Sequence, residues 1–186
     1  NNWNSYLVRL EESFKEKFNM KHALLTSSCT GGMHMGLRAL GIQKGDEVIV
    51  PELTWVATAS VIHYLGAKPI FVDVNEDQLI DPNEVEKKIS KKTKAIMPVH
   101  LCGKMADMKQ LMKLSKKYKI PVIEDGAQSI LSKYKGKMSG SWGDIGCFST
   151  HPLKNLNASG DGGFLTTNNK RTYEIIKNLR SHGMEE

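Results

Sequence analysis

One lysine of this chain, Lys154, lies in a turn-rich stretch, KNLNASGDGG, between two apolar runs. A lysine in a crevice that restricts water loses proton affinity, so its amine becomes a nucleophile that can form a Schiff base with a carbonyl group. Ser149 ends the preceding apolar run and could donate a hydrogen bond to a phosphate in the same crevice. The alternative is a surface loop whose Gly and Asn residues only make a connection, and the stretch taken alone is more typical of that alternative.

An acid and an amide follow a second apolar run, in the stretch PVIEDGAQS. Asp125 ends the run, and Gln128 comes three residues later. The carboxyl end of a buried strand is where a side chain can face a ligand, so this pair is a candidate for binding one. An Asp that caps the next turn would give the same pattern, and the motif leaves both interpretations open.

A phosphate site is a third possibility, in the stretch LLTSSCTGGMHMGLRALG. An apolar run leads through small residues, including Thr30 and Gly31, into an amphipathic helix. Backbone N–H groups at a helix start, together with the helix dipole, suit a phosphate dianion. The spacing is neither that of a Walker A loop nor G-x-G-x-x-G, and an ordinary capped helix start is the alternative.

Metal and nucleic-acid sites are not indicated. The three cysteines lack a C-x-x-C pair, and the six histidines lack H-x-x-x-H spacing. Residues 73–84 resemble a calcium loop, but Gln78 stands where the sharp turn requires glycine, and Asp81 followed by Pro82 predicts a helix start instead. The chain has 26 Lys and Arg against 20 Asp and Glu. These basic residues are not interleaved with aromatic residues, which argues against a nucleic-acid partner.

The chain alternates between predicted strands and amphipathic helices, which could position these residues. The predicted strands are residues 22–26, 47–51, 69–74, 94–99, 121–125, 145–149 and 163–167, and the predicted helices are residues 5–18, 31–40, 55–65, 82–90, 105–118 and 170–180. This alternation predicts a three-layer α/β/α fold with a mostly parallel seven-stranded sheet. No helix separates the last two strands, so one of them is expected to be antiparallel.

Length and composition predict one soluble domain. The 186 residues are enough for one sizeable core, near the usual ~150 residues per domain. No run approaches the ~20 apolar residues of a membrane span, and the first residues do not resemble a secretory signal. Because the cysteines are odd in number and widely separated, a reducing compartment is indicated, and we expect a cytoplasmic protein without a membrane partner.

The three motifs together suit one cofactor. Pyridoxal 5'-phosphate (PLP) needs an amine for its aldehyde, a carboxylate for its ring nitrogen and amides for its phosphate. Lys154, Asp125 and the helix start at Thr30 would supply these groups. Their joint occurrence is more specific than any one motif.

The sequence also resembles the DegT/DnrJ/EryC1/StrS family of PLP-dependent sugar aminotransferases, over essentially its whole length. Similar segments include the SSCTGGMHMGLRALG stretch, KAIMPVHLCGKMADM, PVIEDGAQS and FSTHPLKNLNASGDGG. The resemblance implies that residues 1–186 form the large, PLP-binding domain of a fold-type-I transferase. Members are roughly twice as long, so it also implies that a small C-terminal domain and a short N-terminal stretch are absent from this chain.

The resemblance implies a role for each candidate residue. Lys154 would form the Schiff base, the internal aldimine, with the cofactor, and Asp125 would pair with the pyridine nitrogen. The other cofactor-binding residues would be Gln128 near the ring hydroxyl, Trp55 stacked on the ring, and Thr30, Gly31 and Ser149 at the phosphate.

The chain departs from the family pattern at two places. The family usually has Gly at the position of Cys29 and Ala at the positions of Gly31 and Gly32, which affects the predicted phosphate geometry. It usually has Glu where this chain has Asp161, which affects the turn after Lys154.

The activity that the resemblance implies is transfer of an amino group from glutamate or glutamine to a nucleotide-linked keto-sugar, as in polysaccharide biosynthesis. Members are homodimers in which the partner chain completes each site, so a homodimer of the full-length protein is expected. Two alternatives remain: a PLP-dependent sugar dehydratase, in which histidine replaces the lysine, and a non-catalytic regulatory protein of the same fold. Lys154 argues against the dehydratase, although His151 is close to it in sequence.

Overall fold

The computed structural model describes residues 3–183, and the ends of the predicted domain, residues 1–2 and 184–186, lie outside the described residues. In chain order the elements are α1 (Trp3–Phe18), β1 (His22–Thr26), α2 (Cys29–Ala39), β2 (Glu47–Pro51), α3 (Ala57–Tyr64), β3 (Lys68–Val72), α4 (Pro82–Lys88), β4 (Thr93–Ile96), α5 (Met108–Tyr118), β5 (Ile123–Asp125), β6 (Lys133–Tyr134), β7 (Lys137–Met138), β8 (Ile145–Ser149), β9 (Gly163–Thr167) and α6 (Lys170–Arg180). All predicted helices and strands are present, with ends shifted by a few residues. None of the helices described over residues 3–183 combines the length and apolar character that crossing a membrane requires.

The strands form a mixed α/β structure. One sheet has the order β3-β2-β4 and is parallel throughout. The other has the order β1-β9-β8-β5, in which β5 and β8 are parallel and β9 is antiparallel to both of its neighbours. The α/β class and the antiparallel strand near the end of the chain are therefore confirmed.

The prediction of a single seven-stranded sheet is wrong, because the seven strands fall into these two sheets. The sheets meet where the chain after β4 runs beside β5, through isolated parallel bridges such as Val99 with Asp125. Pro98 has no N–H to donate there, which limits the ladder between the two strands. Asp125 N still donates to Pro98 O at 2.9 Å, and His100 N donates to Asp125 O at 3.0 Å, so the end of β5 is held firmly.

Helices cover both faces because side chains alternate along the strands. Cys147 and Leu165 lie in one apolar cluster with residues of α2, α3 and α6. Phe148 and Phe164, their neighbours in sequence, lie in another with residues of α1. The helices α4 and α5 contribute to a third cluster with residues of β2, β3 and β4.

The sequence does not predict the hairpin β6-β7. Its turn residues, Lys135 and Gly136, have φ values of 48° and 79°. Positive φ at both positions is typical of two-residue hairpin turns whose twist matches that of the strands. Strands of two residues show no detectable period, so only the turn could have indicated this element.

The calcium-like stretch is a helix start, as predicted. The Asp81 side chain accepts a hydrogen bond from Asn83 N at 2.8 Å, and Pro82 is the first residue of α4. Gln78 does not by itself exclude the sharp turn of a calcium loop, because it has a φ of 62° and adopts the conformation usually taken by glycine. What opposes a calcium loop is that the Asp81 carboxylate caps the helix.

Gly163 allows β9 to approach the start of α2. A Cβ atom at this position would lie 2.6 Å from Cys29 N and 2.6 Å from Phe148 O. Because both are backbone atoms, neither can rotate aside as a side chain could. The absence of a side chain at Gly163 therefore sets the distance between the helix start and the sheet.

Replacing Gly163 by Ala should lower the free energy of unfolding by about 1–3 kcal/mol, the usual range for overpacking. Gly160→Ala is the matched control, because an added Cβ there meets nothing within 4 Å. We expect the control to change stability by no more than about 0.5 kcal/mol in urea unfolding. Equal unfolding midpoints for the two variants would contradict this account of Gly163.

Candidate active site

A cavity of about 460 Å³ lies beside the carboxyl ends of β5 and β8 and the start of α2. Its volume is within the range of small-molecule sites, about 300–1,000 Å³. Its position agrees with the rule that ligands of α/β proteins bind beyond the carboxyl ends of parallel strands. The lining residues are Ser28, Cys29, Thr30, Met33, Thr54, Trp55, Ala57, Val99, Asp125, Ala127, Gln128, Ser149, His151, Leu153, Lys154 and Asp161.

Asp125 is the buried acid of this cavity, with only 4% of its surface exposed. It is the last residue of β5. Its Oδ2 accepts a hydrogen bond from Thr58 Oγ1 at 2.8 Å, and its Oδ1 accepts one from Ala127 N at 3.1 Å. These two bonds fix the orientation of the carboxylate.

Burial is the main influence on the ionisation of Asp125 and raises the pKa of its carboxyl group. The hydrogen bonds from Ala127 and Thr58 oppose that shift, and so does the positive charge of Lys154. Cys29 Sγ lies 4.0 Å from Asp125 Oδ1, and burial together with the nearby carboxylate raises the pKa of this thiol well above its usual value. Cys29 is thus a neutral thiol, and a cation bound in the cavity would stabilise the ionised form of Asp125.

The start of α2 and the end of β8 provide groups that suit a phosphate. Ser28 is the N-cap of α2, and its side chain accepts a hydrogen bond from Gly31 N. Thr30 lines the cavity in the first turn, where backbone N–H groups have no partner within the helix. Ser149 Oγ accepts a hydrogen bond from His151 N at 3.2 Å, which leaves its own proton available to a ligand.

The turn that carries Lys154 is ordered by hydrogen bonds of its own. Lys154 N donates to His151 O at 2.8 Å, and Leu153 N donates to His151 Nδ1 at 3.1 Å. At the base of this connection, Thr150 N donates to Gly162 O at 2.8 Å. Lys154 is half-buried and its side chain lines the cavity.

Gln128 and Trp55 both line the cavity. Cys102 N donates to Gln128 Oε1 at 2.8 Å. Since an N–H donates only to the amide oxygen, this bond leaves the Gln128 NH2 group as the part available to a ligand. Trp55 precedes α3 and is 74% exposed, so its ring forms part of the cavity rim.

Most of the predicted site residues lie together. Thr30, Trp55, Asp125, Gln128, Ser149 and Lys154 all line the one cavity. Gly31 is not among the lining residues, and its N–H donates to the Ser28 side chain in the N-cap. Sequence reasoning missed Thr54 and Thr58, whose only signal is two hydroxyl residues four positions apart at a predicted helix start.

A family model for the DegT/DnrJ/EryC1/StrS aminotransferase family matches residues 2–186. The chain is 43% identical over 181 residues to GDP-perosamine synthase of Escherichia coli O157:H7. The aligned residues make up 97% of this chain and 50% of that protein. It is 44% identical over 178 residues to UDP-4-amino-4-deoxy-L-arabinose--oxoglutarate aminotransferase of Shewanella sediminis, which covers 95% of this chain and 45% of that protein.

Solved structures agree with these sequence matches. NtdA from Bacillus subtilis with the bound cofactor PMP superposes with a TM-score of 0.91 and 36% identity, covering 97% of this chain and 41% of that one. The chain therefore spans about half the length of the curated relatives it matches. The family match over nearly all residues, together with the matching fold, leads to one conclusion: the chain belongs to the DegT/DnrJ/EryC1/StrS aminotransferase family.

Proposed function

We propose that this chain is the cofactor-binding part of a PLP-dependent aminotransferase. The whole protein would transfer an amino group from glutamate or glutamine to a nucleotide-linked keto-sugar. The observation that carries the proposal is the cavity in which the half-buried Lys154 amine and the buried Asp125 carboxylate meet the start of α2. An amine, a carboxylate and a phosphate-type helix start are the groups that this cofactor needs.

The cavity fits pyridoxal phosphate on physical grounds. The buried Asp125 carboxylate accepts short hydrogen bonds from Thr58 and Ala127 and a long one from Cys29 Sγ, and it has acceptor capacity left for a donor in the cavity that it lines. A protonated pyridine nitrogen would supply both the donor and the positive charge. Bound there, the cofactor provides an electron sink for a carbanion at the substrate carbon.

Each cavity residue has a distinct task in this proposal. Lys154 holds the cofactor through its amine and, once released, moves a proton at the substrate carbon. Asp125 keeps the ring nitrogen protonated, and the Gln128 NH2 group donates to the ring hydroxyl. The stacking residue is Trp55, and the phosphate ligands are Thr30, Ser149 and Gly31, whose N–H would exchange its bond with the Ser28 side chain for one to the phosphate.

The substrate class rests on the names of the relatives. One is a GDP-perosamine synthase and another is named for UDP-4-amino-4-deoxy-L-arabinose and oxoglutarate. Oxoglutarate is the keto acid that remains when glutamate gives up its amino group, so the second name supports glutamate as the amino donor here. We further propose that the protein acts in the cytoplasm, as a homodimer, in polysaccharide biosynthesis.

Replacing Lys154 by Ala should abolish covalent retention of the cofactor. Borohydride treatment of the parent protein with PLP should add the pyridoxyl mass to Lys154 alone, as read by peptide mass spectrometry. Lys113→Ala, which changes an exposed lysine on α5, is the control and should label like the parent. A trapped pyridoxyl group on any other lysine of the parent protein would show that the assignment of Lys154 is wrong.

Asp125→Asn should retain some cofactor but lose turnover with glutamate and a keto-sugar. The amide oxygen can still accept from Ala127 N, and its NH2 group can donate to the Thr58 hydroxyl, but a neutral amide no longer holds the ring nitrogen as a cation. Since an interaction with a charged partner is lost, kcat should fall by at least about tenfold. Unchanged kcat in steady-state assays would exclude the proposed role of Asp125.

The same substitution should stabilise the cofactor-free protein near neutral pH. Because burial raises the folded-state pKa of Asp125, the stabilisation from its bound proton is fully present below the unfolded pKa, about 3.9, and is lost as pH rises through the folded pKa. We expect Asp125→Asn to gain about 1 kcal/mol in denaturant unfolding at neutral pH, and the gain to shrink on acidification. A variant less stable than the parent at neutral pH would contradict this prediction.

A further inference from the structure

A pair of hydroxyl groups connects the cavity rim to the buried acid. Thr58, in the first turn of α3, is fully buried, and its Oγ1 lies 2.8 Å from Asp125 Oδ2. Thr54 lines the cavity beside the rim tryptophan, and its Oγ1 lies 2.8 Å from Thr58 Oγ1. The three side chains therefore form one continuous chain of hydrogen bonds.

The direction of this chain follows from the count of protons. An ionised carboxylate can only accept, so the single hydroxyl proton of Thr58 points to Asp125. Thr58 then has no proton left for Thr54, and the bond between the two hydroxyls must be donated by Thr54. The order of donation is Thr54 to Thr58 to Asp125.

Thr58 differs from Ser13 and Ser60, two other hydroxyl residues in the helices. Ser and Thr hydroxyls in helices often donate to the carbonyl group four residues earlier. Ser60 Oγ donates in this way to Val56 O at 3.0 Å, and Ser13 Oγ donates to Arg9 O at 2.8 Å. Thr58 instead directs its proton away from its own helix, toward the carboxylate.

We propose that Thr58 is a positioning residue, which holds the Asp125 carboxylate in the orientation and charge state needed for the ring nitrogen, and that Thr54 fixes the Thr58 hydroxyl for this purpose. This inference rests on the proposed PLP function. It goes beyond that function in assigning a role to two residues that do not themselves meet the reacting atoms.

The surroundings of Asp125 make Thr58 a clean site for a test. The titratable groups that interact electrostatically with the carboxylate come from other elements: Cys29 on α2, Cys147 on β8, His100 after β4 and Lys154 in its turn. Burial raises the pKa values of both thiols well above the usual range, so they stay neutral. Removing the hydroxyl of Thr58 takes away the hydrogen bond to Asp125 and the one from Thr54, and it changes no formal charge.

The first measurement uses the cofactor-free protein. Thr58→Val should raise the pKa of Asp125, read from its carboxyl carbon resonance during a pH titration by NMR, because a hydrogen bond to the charged form is lost. Thr58→Ser keeps the hydroxyl and should leave that pKa unchanged. Thr58→Ala removes the hydroxyl without adding a methyl group, and it serves if valine disturbs folding.

The second measurement is the dissociation constant of PLP as a function of pH. Thr58→Val should weaken binding by about tenfold, and the loss of affinity on acidification should begin at a higher pH than in the parent. Thr58→Ser should bind like the parent. Thr54→Val should change both quantities in the same direction as Thr58→Val, but less.

These outcomes separate the two proposals. If the hydroxyl-free variants and Thr58→Ser give the same Asp125 pKa, the positioning role is wrong, whatever the parent protein binds. If the hydroxyl-free variants raise that pKa but the parent protein binds no PLP, the proposed function fails and the hydrogen-bond chain to Asp125 stands.

Discussion

The hydrogen bonds to the buried carboxylate of Asp125 are the interaction on which the site depends. An acid removed from water is costly to ionise unless donors replace the lost solvent. Thr58 and Ala127 supply donors from α3 and from the turn after β5. The positions of α3 and of the turn after β5 therefore both depend on one carboxylate. A bound cation would offset the part of the free-energy cost of ionising this buried acid that the two hydrogen bonds leave.

The same strand end shows why distant parts of the sequence meet. Parallel strands end at one edge of a sheet, so the segments after β5 and β8 lie side by side although they are far apart in the chain. Gly163 then lets the start of α2 approach that edge closely. The cavity is the space left between a helix start and two strand ends, and the turn of Lys154 closes one side of it.

The sequence predicted those parts that depend on local pattern. The bounds of β1, β2, β8, β9 and α6 agree with the structure, because each has a clear period and a turn or cap at its ends. It did not predict the division of the sheet between β5 and the segment after β4, where Pro98 has no N–H to donate, because these two segments become neighbours only in the fold. Thr58 was missed for the same reason: its partner Asp125 lies 67 residues away, and no local pattern reports that contact.

Two adjacent acids on β5 differ in how many of their hydrogen-bond acceptor positions are already occupied, and this difference distinguishes a structural carboxylate from one that can bind a ligand. Because strand side chains alternate, Glu124 and Asp125 point to opposite faces. Glu124 accepts four hydrogen bonds, from His100 Nε2 and from the N–H groups of Gly140, Trp142 and Gly143, which fill the roughly four acceptor positions of a carboxylate.

The tautomer of His100 is set by its two hydrogen bonds. Because Nδ1 accepts from Ala106 N, Nε2 carries the hydrogen and donates it to Glu124. Glu124 has no capacity left for a ligand and serves to hold the loop after β7 against the sheet. Among the described residues, Asp125 accepts short hydrogen bonds from Thr58 and Ala127 and a long one, 4.0 Å, from Cys29 Sγ. It lines the cavity, so its remaining acceptor capacity is open to a donor from outside the chain. The difference between the two acids lies in their partners, and the sequence, which shows only Glu-Asp, does not contain it.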